Sequence, residues 1–176
     1  MKTYTLNTNQ LKENIKNLCV GDKVILSGTV YTARDAAHKR IFELIKQGKK
    51  LPFEIAGSVI YYAGPTPTPN NLPIGSCGPT TSLRMDSYTP ALLDRGLVCT
   101  IGKGQRSPEV INSIVKNNSV YLCAIGGAGA LAAKCISKCE VITFEDLGCE
   151  SVKKLEFNNF PLIVAIDKNG SSIFNI

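Results

Sequence analysis

The fold depends most on one run of residues, Leu97-Val98-Cys99-Thr100-Ile101-Gly102-Lys103-Gly104-Gln105-Arg106-Ser107-Pro108-Glu109. Its first five residues are mostly apolar or β-branched and predict a short buried strand. Ser107, Pro108 and Glu109 then predict the start of a helix, because they supply a capping hydroxyl, a proline in the first turn and an acid beside it. A further strand is predicted at 120–125. The order strand, helix, strand predicts a parallel pair in one sheet.

The rest of the chain predicts the same mixture of helices and strands. Apolar residues at helical spacing predict helices at 9–18, from Thr32 as cap to Gly48, at 86–94 and from Gly126 to about residue 136. Short apolar or alternating runs predict strands at 23–30, 58–63, 140–143, 151–157, 162–167 and 171–174. The last two strands flank Asn169-Gly170, a strong turn signal for a hairpin. We therefore expect one α/β domain over residues 1–176, with a mixed, partly parallel sheet.

Composition excludes several classes of protein. The 176 residues carry a formal net charge of +6, but the lysines are dispersed, tryptophan is absent and aromatic residues are few. A nucleic-acid partner is therefore not expected, whereas a small anionic ligand fits the charge. No apolar run approaches the roughly 20 residues of a membrane span, and the first residues lack a signal-like apolar stretch. We expect a protein of the cytoplasm that has no membrane partner.

The seven cysteines do not form a recognisable metal or disulfide framework. Their number is odd, their spacing is irregular, no Cys-x-x-Cys pair occurs, and His38 is the single histidine. Zinc sites are usually built from closely spaced Cys and His pairs, and disulfide frameworks belong to secreted proteins. The clustered cysteine motif of an iron–sulfur protein is also missing. We expect no metal ligand in this chain, and most thiols should pack as small apolar groups.

The least ordinary segment is Gly75-Ser76-Cys77-Gly78-Pro79-Thr80-Thr81-Ser82-Leu83-Arg84. Its glycines and proline favour a tight, irregular backbone. Its hydroxyls donate hydrogen bonds, and a guanidinium holds a carboxylate or phosphate through two parallel bonds. Because a helix is predicted at 86–94, the segment is expected at a helix N-terminus, which favours anions. The hydroxyl donors are Thr80, Thr81 and Ser82.

Two further cations share this setting. Arg34 lies in the first turn of a predicted helix, where a positive charge opposes the helix dipole, and Lys103 lies between two glycines after a predicted strand. Such junctions meet at the carboxyl edge of a parallel sheet, where ligands bind. Together with Arg84, these residues predict a site for a small ligand with at least two negative charges.

Two other interpretations of the residues stay open. Gly127-x-Gly129-x-x-Ala132 is a relaxed dinucleotide fingerprint, with Glu145 or Asp146 near the distance expected for an acid on a ribose. Only about 45 residues follow it, which is short for the two halves of such a domain. Cys77, with His38 as its base, is a candidate nucleophile.

Three motifs resemble a known family in the same order along nearly the whole chain. They are Gly28-Thr29-Val30-Tyr31-Thr32-Ala33-Arg34-Asp35-Ala36-Ala37-His38-Lys39-Arg40, Gly78-Pro79-Thr80-Thr81-Ser82-Leu83-Arg84-Met85-Asp86-Ser87-Tyr88 and Ile101-Gly102-Lys103-Gly104. The family is that of the class I, iron–sulfur-dependent fumarate hydratases, and the resemblance is to their β subunit or C-terminal domain. The β subunit of L(+)-tartrate dehydratase shares the pattern. The second motif looks more like the fumarase form.

The resemblance implies a fold, a partner and a cofactor. The fold would be a swivelling β/β/α domain. The partner would be a fumarate hydratase α subunit, giving a hetero-oligomer that interconverts fumarate and L-malate. A [4Fe–4S] cluster would be ligated by three cysteines of that α subunit and not by this chain, and substrate would lie where the two subunits meet.

The resemblance also implies roles for individual residues. Arg34, Arg84 and Lys103, with Thr81, would bind the two carboxylates of the substrate. Thr80 would be catalytic, near the carbon that gains or loses a proton. Two alternatives to fumarate hydration remain: a tartrate dehydratase β subunit that produces oxaloacetate, and a non-catalytic module that binds small dicarboxylates.

Overall fold

The computed structural model describes residues 1–174, which form seven strands and five α-helices. The strands are β1 (Thr3–Asn7), β2 (Lys23–Thr32), β3 (Val59–Tyr61), β4 (Cys99–Gly102), β5 (Val120–Cys123), β6 (Ile136–Thr143) and β7 (Val152–Ile166). The helices are α1 (Leu11–Asn14), α2 (Asp35–Lys46), α3 (Thr89–Leu93), α4 (Pro108–Lys116) and α5 (Gly129–Lys134). Turns of 3-10 helix occupy Thr8–Gln10, Ile15–Asn17, Ser82–Met85 and Glu145–Glu150. None of the helices within residues 1–174 has the length and apolarity needed to cross a membrane.

All seven strands belong to one mixed sheet in the order β1-β2-β3-β4-β5-β7-β6. Strands β1 to β5 pair in parallel, whereas β7 runs antiparallel to its neighbours β5 and β6. β7 also pairs with β2 in antiparallel register, so the pairings β2-β3-β4-β5-β7-β2 form a closed circuit. The predicted mixed, partly parallel sheet of an α/β chain is confirmed.

The two faces of the sheet carry two separate cores. On one face, α2, α3 and α4 cover residues such as Ile60, Tyr62 and Tyr121. The other core contains alternate strand residues and the stacked rings of Phe157 and Phe160, whose centroids are 4.2 Å apart. Alternation along each strand sends successive side chains to opposite faces, which explains why neighbouring residues enter different cores.

Local sequence signals set the ends of two helices. Ser107 accepts a hydrogen bond from the backbone N–H of Val110, and Pro108 occupies the first turn of α4, as predicted. Gly48 follows the end of α2 with a φ of +62°, a left-handed conformation that glycine adopts without steric cost.

The predicted cap Thr32 and the predicted helix at 86–94 are corrected by the structure. Thr32 is the last residue of β2, and its hydroxyl is engaged with the backbone of Ser151 and Lys153 instead of a helix end. Helix α2 begins later, with Arg34 at its N-cap position. At 86–94 only α3 is α-helical, because Pro90 fixes the start of that helix.

The C-terminal third also differs from the prediction. The separate strands expected at 151–157 and 162–167 are one 15-residue strand, β7. Asn159 has a φ of +52° and lets the strand pass an irregularity in its pairing with β2. The turn at Asn169-Gly170 forms, with Gly170 N–H donating to Asp167 O at 3.0 Å, but its second arm makes a single bridge at Ser172.

Candidate functional site

The parallel strands place the predicted site residues along one edge of the sheet. β2 ends just before Arg34, β4 ends just before Lys103, and the backbone N–H of Thr80 donates to Tyr62 O, directly beyond β3, at 2.7 Å. Because these strands run in the same direction, their carboxyl ends share one edge. The expected convergence of the three chain segments is therefore found.

Residues 75–84, which we call the hydroxyl-rich segment, pair with the chain around Lys103. Thr81 and Lys103 form a parallel bridge, in which Ser82 N–H donates to Lys103 O at 2.9 Å and Lys103 N–H donates to Thr80 O at 3.3 Å. The residues Thr81 and Lys103 are exposed. Ser82 is not available to a ligand, because it is buried and its hydroxyl bonds the Tyr121 hydroxyl at 2.9 Å.

Arg84 connects this segment to the start of α2. Its Nη2 donates to Thr80 Oγ1 at 2.7 Å and lies 3.2 Å from Asp35 Oδ2. Both charged side chains are nearly half exposed, so water screens the ion pair. Since Thr80 Oγ1 accepts from the guanidinium, its own hydrogen is free to point at a ligand. The segment ends inside the 3-10 turn Ser82–Met85 and not before an α-helix, so the predicted α-helix N-terminus at this place is wrong.

Arg34 is the N-cap residue of α2. Its Nη2 is 3.4 Å from Glu150 Oε1, while Glu150 Oε2 accepts a hydrogen bond from the Ala36 backbone N–H at 3.0 Å. The Nε of Arg34 is buried and has no acceptor among residues 1–174. The chain itself therefore leaves part of this guanidinium's hydrogen-bonding capacity unused.

His38, in the first turn of α2, contacts the backbone of Arg34. It is fully buried between the rings of Tyr62 and Tyr88, and its Nδ1 lies 2.8 Å from Arg34 O. Burial lowers the pKa of His38 to about 4, so the ring is neutral near pH 7. A carbonyl accepts only, so Nδ1 carries the hydrogen, and the buried Nε2 has no partner in the described chain.

A buried arginine, which the sequence interpretation missed, anchors the segment that carries Arg84. Arg106 Nε donates to Asp86 Oδ1 at 2.7 Å, and its Nη2 donates to Thr89 Oγ1 at 2.7 Å. The guanidinium lies over the rings of Tyr62 and Tyr121. Burial opposes its charge, but these neighbours outweigh that cost and raise the pKa of Arg106 above its ordinary value. Its acidic partner stands 20 residues away along the chain, so no local pattern reveals the pair.

A buried lysine, also missed, holds the loop that supplies Glu150. Lys153 Nζ donates to Ser151 Oγ at 2.6 Å, to Gly148 O at 2.9 Å and to Cys149 O at 3.3 Å. Burial lowers the pKa of the ammonium below its ordinary value. The lysine follows an exposed 3-10 turn in sequence, a position where a solvated side chain is the usual expectation.

The structure opposes the cysteine nucleophile. Cys77 is fully buried, and burial raises the pKa of its thiol to about 12, so the reactive thiolate is absent near neutral pH. Cys77 belongs to the core that contains Phe157, whereas His38 packs against Tyr62 of the opposite core. The two residues therefore do not form a nucleophile and base pair.

The dinucleotide fingerprint has a packing explanation. A Cβ at Gly129 would stand 3.0 Å from Gly78 N and would collide with Ser76 Oγ, so glycine is needed for α5 to touch the hydroxyl-rich segment. The strand after α5 is β6, which pairs antiparallel with β7 and does not extend the parallel set. The second parallel half of a dinucleotide-binding unit is therefore not formed here.

The potential metal donors of the described chain are dispersed. No three His, Cys, Asp or Glu side chains within residues 1–174 stand close enough together to hold a metal ion. The described residues therefore do not fit as the ligands of an iron–sulfur cluster. A cavity of about 560 Å³ between Lys50 and Arg95 contains none of the predicted site residues.

Comparison with known proteins finds a matching family model and several similar proteins. A family model described as "Fumarase C-terminus" matches residues 1–176. The chain is 41% identical over 177 residues to the Putative L(+)-tartrate dehydratase subunit beta of Methanocaldococcus jannaschii, which covers 97% of this chain and 90% of that protein.

Longer proteins match as well. The anaerobic class I fumarate hydratase of Escherichia coli K12 is 41% identical over 157 residues, which are 88% of this chain and 29% of that protein. Fumarate hydratase 2 of Leishmania major is 38% identical over 168 residues, which are 94% of this chain and 30% of that protein. The chain thus spans less than a third of the length of these two relatives.

Proposed function

This chain belongs to the fumarase C-terminus family, with a domain of the type found in class I fumarate hydratases and tartrate dehydratase β subunits, and we propose that it is the β subunit of a heteromeric fumarate hydratase. In this proposal the chain supplies the cationic half of a site that interconverts fumarate and L-malate. The printed name of the Methanocaldococcus jannaschii relative, "subunit beta", supports a separate α subunit as the carrier of the other half of the site.

One observation carries the proposal: the connection of Asp35, Arg84 and Thr80 at the sheet edge, next to the bridge between Thr81 and Lys103. Fumarate and malate each carry two carboxylates, and two arginines and one lysine can bind and orient them. The ammonium of Lys103 has no carboxylate within 4.0 Å among residues 1–174, so its charge is available. A charge-assisted hydrogen bond is worth about 1.5–3 kcal/mol.

Thr80 would exchange the proton at the substrate carbon. A free threonine hydroxyl is a weak acid, and the Arg84 N–H that it accepts at 2.7 Å favours its deprotonated form. Neither Arg34 nor Lys103 donates to this hydroxyl within residues 1–174, so Arg84 is the residue that tunes it. Arg34, Arg84 and Lys103, with Thr81, would hold the carboxylates so that the reacting carbon faces Thr80.

The α subunit would complete the site. We define it as the chain that matches the part of the class I fumarate hydratases left uncovered here. It would ligate the [4Fe–4S] cluster, which when bound supplies Lewis-acid chemistry at the substrate. This chain would contribute no ligand to the cluster.

The proposal is tested by anaerobic mixing of the purified chain with the α subunit, followed by the absorbance of fumarate during malate turnover. We expect no activity from either chain alone and full activity from the mixture. Robust turnover by the isolated chain, or an inactive mixture that contains an intact cluster, would contradict the proposal.

Tartrate dehydration is a second candidate. The relative from Methanocaldococcus jannaschii has nearly the length of this chain and is named for tartrate, while the fumarate hydratase of Escherichia coli reaches the same 41% identity. The same mixture, assayed with L(+)-tartrate and with malate at equal concentrations, separates the two substrates by their values of kcat/KM.

A further inference from the structure

An apolar groove of about 330 Å³ opens between α5 and β7. Its lining includes Ile125 and Leu131, whose exposed fractions are 66% and 64%, together with Phe160 and Pro161. Ile163, two residues further along β7, is also more than a third exposed. Side chains of this size gain about 1.5–3 kcal/mol each when they are fully buried, so an uncovered cluster of them marks a contact surface.

The groove is continuous with the candidate site. Gly126, next to Ile125, stands against Lys103: a Cβ on this glycine would lie 3.4 Å from Lys103 Cδ and 3.9 Å from its Nζ. Gly129, at the start of α5, accepts a hydrogen bond from the Cys77 backbone N–H at 3.0 Å. A partner seated in the groove would therefore also border the hydroxyl-rich segment and the Lys103 ammonium.

We propose that this groove is the docking surface for the α subunit. The inference rests on the proposed function, because it names the place where the missing part of the site attaches. About 70% of the length of the two fumarate hydratase relatives lies outside the match. An α subunit of that size would need a contact surface on this domain. The residues that line the groove are apolar apart from Lys134, as expected for a permanent subunit contact.

Val115 provides a comparison on the opposite side of the sheet. It is 41% exposed on α4, a helix that packs on the core containing Tyr62, whereas α5 contacts the core containing Phe157. A single exposed apolar residue is normal on any protein surface. The substitution Val115→Asp therefore introduces the same charge without touching the groove.

The test measures assembly by sedimentation velocity, with the chain and the α subunit mixed at equal concentrations. We expect Leu131→Asp and Ile125→Asp each to raise the Kd of the complex at least tenfold, and Val115→Asp to leave it unchanged. Circular dichroism of each isolated variant establishes that it is folded. If an aspartate variant does not fold, Leu131→Ser and Ile125→Ser replace it, with a smaller rise in Kd expected.

The outcomes separate this inference from the proposed function. Folded groove variants that assemble with unchanged Kd would overturn the docking surface and leave the proposed function standing. A wild-type chain that does not bind the α subunit would overturn the proposed function itself. If the wild-type chain dimerises alone, and the groove variants are monomers that still bind the α subunit, the groove is a contact between copies and the inference is wrong.

Discussion

Arg84 contacts Thr80 and Asp35 through the same nitrogen, at 2.7 Å and 3.2 Å. An ion pair that is nearly half exposed contributes about 0–1 kcal/mol to stability, so this arginine adds little to the stability of the fold. We predict that Arg84→Ala lowers kcat/KM for malate at least about a hundredfold in the assembled enzyme, because substrate orientation and the tuning of Thr80 are lost together. The melting temperature should stay within about 2 °C of wild type.

Arg95→Ala is the matched control for that substitution. Arg95 is also exposed, and its guanidinium donates to the carbonyl of Ala91 in α3, four residues earlier in the chain. Its removal should change neither turnover nor melting temperature. A melting temperature that falls in step with activity in Arg84→Ala would show that Arg84 is structural.

His38 makes the stability of the chain depend on pH. Its pKa is about 4 when folded and 6.5 in the unfolded chain, so at intermediate pH only the unfolded state binds the proton. Stability from this residue is present above pH 6.5 and is lost as the pH falls towards 4. We predict that the free energy of unfolding decreases by about 2 kcal/mol between pH 7.5 and pH 5.

Urea unfolding at the two pH values measures this loss. His38 is the single histidine in the sequence, and carboxylates titrate mainly below this range. The variant His38→Gln keeps a donor for Arg34 O but does not titrate, so its stability should be nearly equal at both pH values. An equal decrease in both proteins would assign the effect to other groups.

The 3-10 turn at Ser82–Met85 is followed by Asp86, which forms a buried ion pair with Arg106. The Arg106 side chain is fully buried and that of Asp86 is 8% exposed. Removing one partner leaves an uncompensated buried charge, which costs about 3–5 kcal/mol. We predict a loss of this size for Asp86→Ala in urea unfolding.

The control for that experiment is Asp94→Ala. Asp94 pairs with Lys116 at 3.0 Å, but both side chains are largely exposed, so the expected loss is below about 1 kcal/mol. Equal losses from the two substitutions would mean that the buried pair does not hold the turn.

The elements that were predicted well are those with local signals. Ser107 and Pro108, two adjacent residues, are enough to define the start of α4. The parallel pairing of β4 and β5 follows from the order strand, helix, strand around that helix. The misplaced elements depend on distant partners. Thr32 is engaged by the backbone near Ser151, and β7 is continuous because β2 and β5 both pair with it.

The candidate site residues also divide into those that local sequence signals predict and those that depend on distant partners. Arg34, Arg84 and Lys103 were found because each follows a strand or loop at the same edge of a parallel sheet, a rule that the sequence order makes usable. Arg106 and Lys153 were missed because their acceptors are set by tertiary packing. The roles of Thr80, Thr81 and the three cations remain predictions for the experiments above.

At the scale of the whole molecule, the candidate site is a solvent-exposed edge of the sheet that carries cationic side chains. Arg84, Lys103 and Thr81 are exposed, so water competes for any ligand that binds to this chain alone. We predict a Kd above about 1 mM for fumarate with the isolated chain in isothermal titration calorimetry, a weak affinity for a ligand this small. The assembled enzyme should bind it much more tightly.

A micromolar Kd for the isolated chain would contradict this prediction. It would favour the non-catalytic dicarboxylate module over the half-site. Succinate provides the control ligand, since it has the same two carboxylates without the double bond, and a half-site should bind it about as weakly.

The closed circuit of strands also bears on how the chain is made. β7, at Val152–Ile166, pairs with β2 over Lys23–Tyr31, and these pairings join residues more than a hundred positions apart. A nascent chain on the ribosome therefore exposes the unpaired side of β2 until nearly the whole sequence has left the exit tunnel. Such long-range pairing forms slowly and leaves apolar strands open to aggregation. The folding of this domain during synthesis should accordingly depend on chaperones.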